Sequence, residues 1–410
     1  MTESGSSTAP PVFHYICTTY PRLSETFLQR EIDVLKNSFD LKIHSLWQGQ
    51  ARETSPPVVR FSLWELWKLV IWIPYWGVRR PAALFAILSA HTERPPVNWL
   101  NWQETLLGLA TGIIRAREFE KSDAGWIHGV WATMPTTFAW TVHTLTGRAY
   151  SFGAHAYDLF QDGGDSLLPY KWKGCAFVHT TTEAAAKELR QKGCPPEKIL
   201  LIRRGLGGLP AKRVPKSPEA GQRVECISVG RLVEKKGWFD QLRIYRELAD
   251  REFSFRARII GEGPLRERLE KEIERLNLAA QVEILGKREP EEVERLLQES
   301  DLFLFTGKVA LDGDRDGLPN VVPEALANCV TVLARSAPGV CEAIHPGETG
   351  LLLDYPHPEA WATTICAAWE DHNLRKALAR NGRSWVKNKF LAQNNTEQLA
   401  RQVLHLLDAE

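Results

Sequence analysis

The 410-residue chain predicts an α/β fold made of two domains, each a parallel sheet covered by helices on both faces. Three observations predict it. The length exceeds what one hydrophobic core usually supports. Short apolar runs alternate with amphipathic helical patterns through both halves, as in parallel sheets covered on both faces. Between the halves, Gly207 to Arg223 is a Pro/Gly/Lys stretch without periodicity that reads as a linker. The expected division is a first domain over 1–206, a linker over 207–223, a second domain over 224–389 and a C-terminal helix over 390–410 packing across the junction.

In the first half, Val12–Cys17 reads as an opening strand, Glu25–Lys36 as a helix with Phe27, Ile32 and Leu35 on one face, and Leu41–Trp47 as a second strand. Residues 61–115 read as a Trp-rich helical insert. Strands follow at Ala124–His128 and Arg148–Phe152 around a helix at Pro135–His143, then at Phe177–Thr180 and Ile199–Arg203. The second half predicts strands at Val224–Val229, Arg256–Ile260, Val282–Leu285, Leu302–Phe305, Val330–Ala334 and Gly350–Leu353. Helices are expected near 238–250, 264–277, 290–299, 321–328 and 338–345, and then over 373–389 and 394–408. Two such halves place a ligand cleft between the carboxyl ends of their strands.

Composition narrows the function. With 51 basic and 50 acidic residues the chain has no global field for nucleic acid. Seven scattered cysteines without a CxxC pair argue against a disulfide framework or zinc site and for a reducing, cytoplasmic setting. Met1–Ser7 lacks the order of a secretory signal and reads as a frayed lead-in. In the insert, the uncharged stretches Leu69–Val78 and Pro81–Ala90 are interrupted by Arg79 and Arg80. A spanning helix needs roughly 20 apolar residues. Six of the fifteen tryptophans fall between 61 and 103, which suits either a buried helical subdomain or peripheral contact through 61–91 with the inner face of the cell membrane.

Two segments of the second half carry chemistry. In Ile227-Ser-Val-Gly-Arg-Leu-Val-Glu-Lys-Lys-Gly237, a strand ends at Gly230, where backbone can approach a ligand, and Arg231 and Lys236 can neutralise a diphosphate. A solvated surface loop is the plain alternative. In Asp312-Gly-Asp-Arg-Asp-Gly-Leu-Pro-Asn-Val-Val-Pro-Glu-Ala-Leu-Ala327, an acidic loop leads to a helix with Asn320 as N-cap, leaving the N–H groups of Val321 and Val322 for an anion. Asp316 and Glu324 flank that point as hydroxyl acceptors, the layout a sugar nucleotide requires. A calcium loop through Asp312, Asp314 and Asp316 fails because its twelfth position is Pro323. A bare Asp-x-Asp metal site stays open.

These segments, with Ile260-Gly-Glu-Gly-Pro264, Ile284-Leu-Gly286, Pro338-Gly-Val-x-Glu342 and Gly347-Glu-Thr-Gly-Leu-Leu352 in the same order, resemble family 4 of the retaining glycosyltransferases over residues 224–353. The resemblance implies the GT-B fold, two Rossmann-like domains facing a cleft. It also implies a nucleoside-diphosphate sugar as co-substrate, UDP- or GDP-linked, with no metal and no other cofactor. Arg231, Lys236, Asn320 and Val321 would hold the diphosphate. Asp316, Gly317 and Leu318 would meet the donor sugar, and Gly230, Gly286 and Glu324 the nucleoside. Asp316 stands where the family has a Glu, one methylene longer.

Tyr20-Pro-Arg-Leu-Ser-Glu-Thr-Phe27 resembles the opening of members that build bacterial exopolysaccharide. It implies an acceptor side made by Ser24, Glu25 and Thr26, with Ser24 also suited to cap the helix; His128 is a further candidate by position. Ser151-Phe-Gly-Ala-His-Ala-Tyr-Asp158 looks like the family's cleft-histidine segment, so His155 would join Asp316 and Glu324 as a catalytic residue, polarising or positioning the sugar. The function implied is sugar transfer to a hydroxyl of a saccharide or lipid-linked saccharide. Alternatives are a nonenzymatic nucleotide-sugar binding module or a sugar-nucleotide epimerase. A dinucleotide oxidoreductase is disfavoured, since no GxGxxG follows either first strand.

Overall fold

The computed structural model describes residues 9–22, 25–49, 56–122, 125–218, 221–354 and 357–409. Met1–Ser7 and Ser24 lie outside the described residues. Two compact units form. One holds the chain up to Thr181, Ala185–Ile202 and the segment from Ala392; the other holds Thr182–Ala184 and Arg203–Leu391.

The first unit runs β1 (Val12–Tyr20), α1 (Thr26–Leu35), β2 (Asp40–Gln48), β3 (Val58–Arg60), α2 (Leu69–Arg79), α3 (Pro81–Glu93), α4 (Trp99–Lys121), β4 (Trp126–Gly129), α5 (Met134–Thr146), β5 (Tyr150–Gly153), α6 (Tyr157–Phe160), α7 (Leu168–Gly174), β6 (Val178–Thr180), α8 (Glu183–Gln191) and β7 (Ile199–Leu201). The strands form one parallel sheet in the order β3-β2-β1-β4-β5-β6-β7. β1 is central and buried on both faces, which is why it reads as an apolar run rather than an alternation. One core cluster lies under α2–α5 and α7, and a second on the opposite face with α1. The insert is fastened by Trp76, fully buried, whose indole N–H donates to the Ile113 carbonyl at 3.0 Å. The strand β3 and helices α6–α8 are elements the sequence patterns do not include.

Two histidines meet inside this unit. His14 Nδ1 and His44 Nε2 are hydrogen-bonded at 2.9 Å against the Phe119 ring. Burial lowers His14 to about 4 and His44 to about 3, with nearby positive charge adding to the effect. The unfolded chain therefore takes up protons first as the pH falls below about 6.5. Stability from this pair is present above that pH and is lost progressively down to about 3. Acid titration of thermal unfolding is expected to show the first unit weakening across that window, and His14→Asn/His44→Asn to flatten the slope.

The second unit runs β8 (Val224–Val229), α9 (Trp238–Asp250), β9 (Phe255–Ile260), α10 (Arg266–Arg275), β10 (Val282–Gly286), α11 (Pro290–Glu299), β11 (Leu302–Phe305), α12 (Val321–Ala327), β12 (Thr331–Arg335), β13 (Leu351–Leu353), α13 (Pro358–Glu370) and α14 (His372–Lys389). Its parallel sheet has the order β10-β9-β8-β11-β12-β13, with one core cluster on each face. α15 (Ala392–Leu407) belongs to the first unit, packed on α1.

Three expectations are corrected here. Residues 338–345 hold only a 3-10 turn, Val340–Glu342, because Pro338-Gly339 and Pro346-Gly347 bracket too short a run. α13 is absent from the sequence patterns, yet Trp361, Ile365, Ala368 and Trp369 fill the core at helical spacing. The stretch 207–223 is not a free linker. Its described residues form no helix or strand, but Arg213 pairs with Asp301 at 3.1 Å, Arg383 donates to the Pro210 carbonyl at 2.7 Å and Arg375 to the Lys216 carbonyl at 2.9 Å. Long-range partners pin it as a strap on the second unit.

Candidate functional site

In an open parallel sheet, ligands gather beyond the strand ends where the winding direction reverses. In the second unit that point lies between β8 and β11, so the loops after them, 230–237 and 306–320, are the candidates. The two loops are tied together. Lys308 N–H donates to the Lys235 carbonyl at 2.7 Å, and the Thr306 hydroxyl to the carbonyls of Lys236 and Gly237 at 3.2 and 3.1 Å. Gly237 adopts φ +70°, and a Cβ there would lie 2.1 Å from the Thr306 carbonyl oxygen. Glycine is required at this crossing. Trp238 pins the loop from below, its indole N–H donating to the Arg231 carbonyl at 3.0 Å.

The acidic loop folds onto the lysines. Lys236 Nζ stands 2.5 Å from Asp316 Oδ2 and over the Phe305 ring, while Lys235 Nζ stands 2.9 Å from Asp314 Oδ1 and 3.5 Å from Asp316 Oδ1. Burial alone would raise the Asp316 carboxyl. The charges and hydrogen bonds of Lys236 and Lys235 together outweigh it and hold Asp316 below the ordinary range. Asp316 thus stays ionised and neutralises the lysine expected to meet a diphosphate. The adjacent Arg231 is exposed and has no side-chain partner among the described residues.

Asp314 and Asp316 are committed to lysines, and Asp312 accepts the Asp314 N–H at 2.9 Å. No group of three or more His, Cys, Asp or Glu among the described residues is placed to hold a metal ion.

The turn into α12 departs from expectation. Asn320 stands at the N-cap position in helical conformation without a side-chain cap bond, and Val322 N–H is already donated to the Pro319 carbonyl at 3.0 Å. The N–H groups of Gly317, Leu318, Asn320 and Val321 have no acceptor among the described residues. The donor set therefore comes from the turn rather than from a helix start of seven residues. Glu324 is half-buried one turn on. At Gly230 a Cβ would make ordinary contact, 3.4 Å from Lys236 Cε and from Trp238, so the fold itself does not demand glycine there. Gly286 closes β10 with φ +75°, beside the Glu262 and Arg266 side chains.

The first unit builds its own constellation after β5. His155 is nearly buried, its ring edge-on to His179 (centroids 5.1 Å) and Trp131 (5.5 Å). The Asp158 carboxylate, 1% exposed, fixes this loop by accepting three backbone N–H groups: Ala156 at 2.7 Å, Ala132 at 3.0 Å and His155 at 3.2 Å. A Cβ at Gly153 would fall 2.4 Å from His155 Nε2, so a bare backbone leaves room for the ring. Below it, Tyr157 reaches Glu104 of α4 at 3.3 Å, and burial raises that carboxyl. Lys171, fully buried, pairs with Asp165 at 2.7 Å.

His128 is corrected. It is 1% exposed inside the sheet, hydrogen-bonded to the Ser151 hydroxyl at 2.8 Å, and burial drives its imidazole well below the ordinary value. It is a core histidine, not an acceptor contact. Glu25 is half-buried, 3.3 Å from Arg22, and Thr26 opens α1. Sequence reasoning missed Lys235 and Asp158. The signal for Lys235 was the match of adjacent lysines to Asp314 and Asp316, two positions apart. Asp158 stood inside the quoted motif without a role.

Residues 212–385 match the family model for glycosyl transferases group 1. A putative colanic acid biosynthesis glycosyltransferase of Salmonella typhimurium is 33% identical over 241 residues, 58% of this chain and 56% of that protein. The amylovoran biosynthesis glycosyltransferase of Erwinia amylovora is 35% identical over 176 residues, 43% of this chain and 42% of that protein. The chain thus matches about half the length of these curated relatives. Among solved structures, HepE of Anabaena in complex with UDP and glucose superposes with TM-score 0.66 at 16% identity, covering 95% of this chain and 98% of that one. Sucrose-phosphate synthase of Thermosynechococcus elongatus gives TM-score 0.72 at 14% identity, covering 98% and 100%. At such identities the likeness concerns the fold, which is GT-B: two Rossmann-like α/β units.

Proposed function

We propose that the chain is a retaining glycosyltransferase of the family 4 type. In this reading it moves a sugar from a UDP- or GDP-sugar to a hydroxyl of a saccharide or lipid-linked saccharide in exopolysaccharide synthesis, on the cytoplasmic side of the membrane. The observation that carries it is the Lys236–Asp316 pair at the winding reversal of the second unit, beside four backbone N–H groups that have no acceptor among the described residues. The group 1 family match over the same residues and the polysaccharide-building activities named for the relatives support it.

The mechanism follows from charge. As the anomeric carbon–oxygen bond breaks, negative charge grows on the departing diphosphate, and Lys236 and Arg231 meet it. Preorganised groups of this kind contribute on the order of 10²–10³ in rate each. The chain supplies these cations, so the proposal needs no metal ion. A diphosphate reaching Lys236 competes with Asp316, which is then released to accept donor-sugar hydroxyls. Gly317, Leu318, Asn320 and Val321 offer N–H groups to sugar and phosphate oxygens. Glu324 accepts the ribose hydroxyls, with Gly230 and Gly286 leaving backbone room for the nucleoside. His155, held by Asp158, polarises or positions the transferred sugar. Glu25 and Thr26 serve the acceptor side.

The test is a thermal-shift screen of UDP-, GDP-, ADP- and dTDP-sugars in EDTA. One donor is expected to stabilise the wild type, by about 2.7 kcal/mol at a hundredfold excess over Kd, and Glu324→Ala to lose the shift. No shift with any donor would contradict the proposal. A shift without turnover on any acceptor would favour a binding module.

A further inference from the structure

Exposed large apolar side chains concentrate in one stretch. Of eighteen among the described residues, fourteen lie between Val59 and Leu106. Trp64 is 87% exposed, Trp99 74% and Phe85 72%. α2 turns Leu69, Trp72 and Trp76 to the core, yet its outward residues Val70, Ile71, Pro74 and Val78 are apolar as well. α3 does the same, with Leu84, Ile87 and Ala90 inward and Phe85 and Leu88 outward. A helix that is apolar all round is normally covered on both sides.

Charge says what covers it. Between Arg60 and Lys121 the chain carries eight Lys or Arg against five Glu. Four of the five are ion-paired or buried: Glu65 with Lys68 and Arg115, Glu118 with Arg115, Glu120 with Arg79 and Arg117, and Glu104 in the interior; Glu93 is exposed and accepts the Tyr170 hydroxyl. Arg60, Arg80, Arg94 and Lys121 are exposed and carry no ion pair among the described residues. Beside α3 an open cavity of about 630 Å³ is lined by Arg80, Ser89, His143, Tyr170 and Lys173, room for an anionic headgroup next to the apolar face. A second copy of the chain fits this surface poorly, since a self-complementary contact would set two faces of the same net positive charge against each other. Indole rings between apolar and charged neighbours belong in the headgroup layer. No described helix is long and apolar enough to cross a membrane.

We propose that the outward face of the insert, residues 61–106, is a docking surface for an anionic lipid bilayer and rests in its headgroup layer. The full chain is mixed with sedimentable vesicles of phosphatidylcholine alone or of phosphatidylcholine with phosphatidylglycerol, without donor, so the result is independent of sugar transfer. The wild type is expected to pellet with the mixed vesicles, and less so at high salt. Each basic residue near an anionic surface contributes roughly 5-fold in partition, so Arg80→Glu/Arg94→Glu should lower binding by about 25-fold or more. Trp64→Ser/Trp67→Ser/Phe85→Ser should lower it by on the order of 100-fold. Both variants change exposed side chains and should keep the wild-type unfolding midpoint. A wild type that stays in the supernatant, variants that pellet like it, or a wild-type dimer that the apolar variant makes monomeric would each overturn the proposal.

Discussion

Lys236→Ala is expected to lower kcat by about 10²–10³, a loss of roughly 2.7–4 kcal/mol of transition-state stabilisation, while the unfolding midpoint barely moves. The two effects separate because Lys235 still holds the acidic loop through Asp314 and Asp316. Removing Lys236 frees one face of Asp316 without opening the crossing at Thr306 and Gly237. Lys235→Met should behave differently: stability falls first, because two carboxylates then face a buried apolar side chain. The check is a single-turnover rate with the donor found by thermal shift, beside a melting curve for each variant. Equal rates for wild type and Lys236→Ala would remove Lys236 from the chemistry.

Asp158→Ala is expected to cost the first unit about 3–5 kcal/mol. Three N–H groups lose their acceptor in a site closed to water, at about 1–3 kcal/mol for each buried donor left unmade. At roughly 2–4 °C per kcal/mol for a unit of this size, its midpoint should fall by about 10 °C. The His155 backbone N–H is one of the three, so turnover should fall too. His155→Ala should lower turnover with a far smaller loss of stability. Asp158→Asn, whose amide oxygen still accepts, should recover part of both. Calorimetry that resolves the two units is the measurement, and an unchanged first unit would contradict the role given to Asp158.

Much of this arrangement was legible in the chain. The runs at 224–229 and 302–305 are short, apolar and bounded by polar residues, so their strands appear at the expected positions. The loops after them contain the residues that meet at the winding reversal. What could not be read depended on partners distant in sequence. Nothing local distinguishes Lys235 from Lys236, and Asp314 and Asp316, some eighty residues on, decide which lysine is buried. The strap over 207–223 has loop composition, but Asp301, Arg375 and Arg383 hold it in place. His128 was a candidate by position alone; the Ser151 hydroxyl and neighbouring rings enclose it. The Val322 N–H looked free because it stands in the first turn of α12, but the Pro319 carbonyl takes it.

The central claim is that the second unit binds a nucleoside diphosphate through chain cations and backbone donors. Calorimetric titration of UDP and of GDP in EDTA, into the wild type, Lys236→Ala and Glu324→Ala, tests it most directly. One of the two nucleotides should bind the wild type at a single site, with affinity falling at least tenfold in each variant. Folded wild-type protein that takes up neither nucleotide, or variants that bind like the wild type, would contradict it.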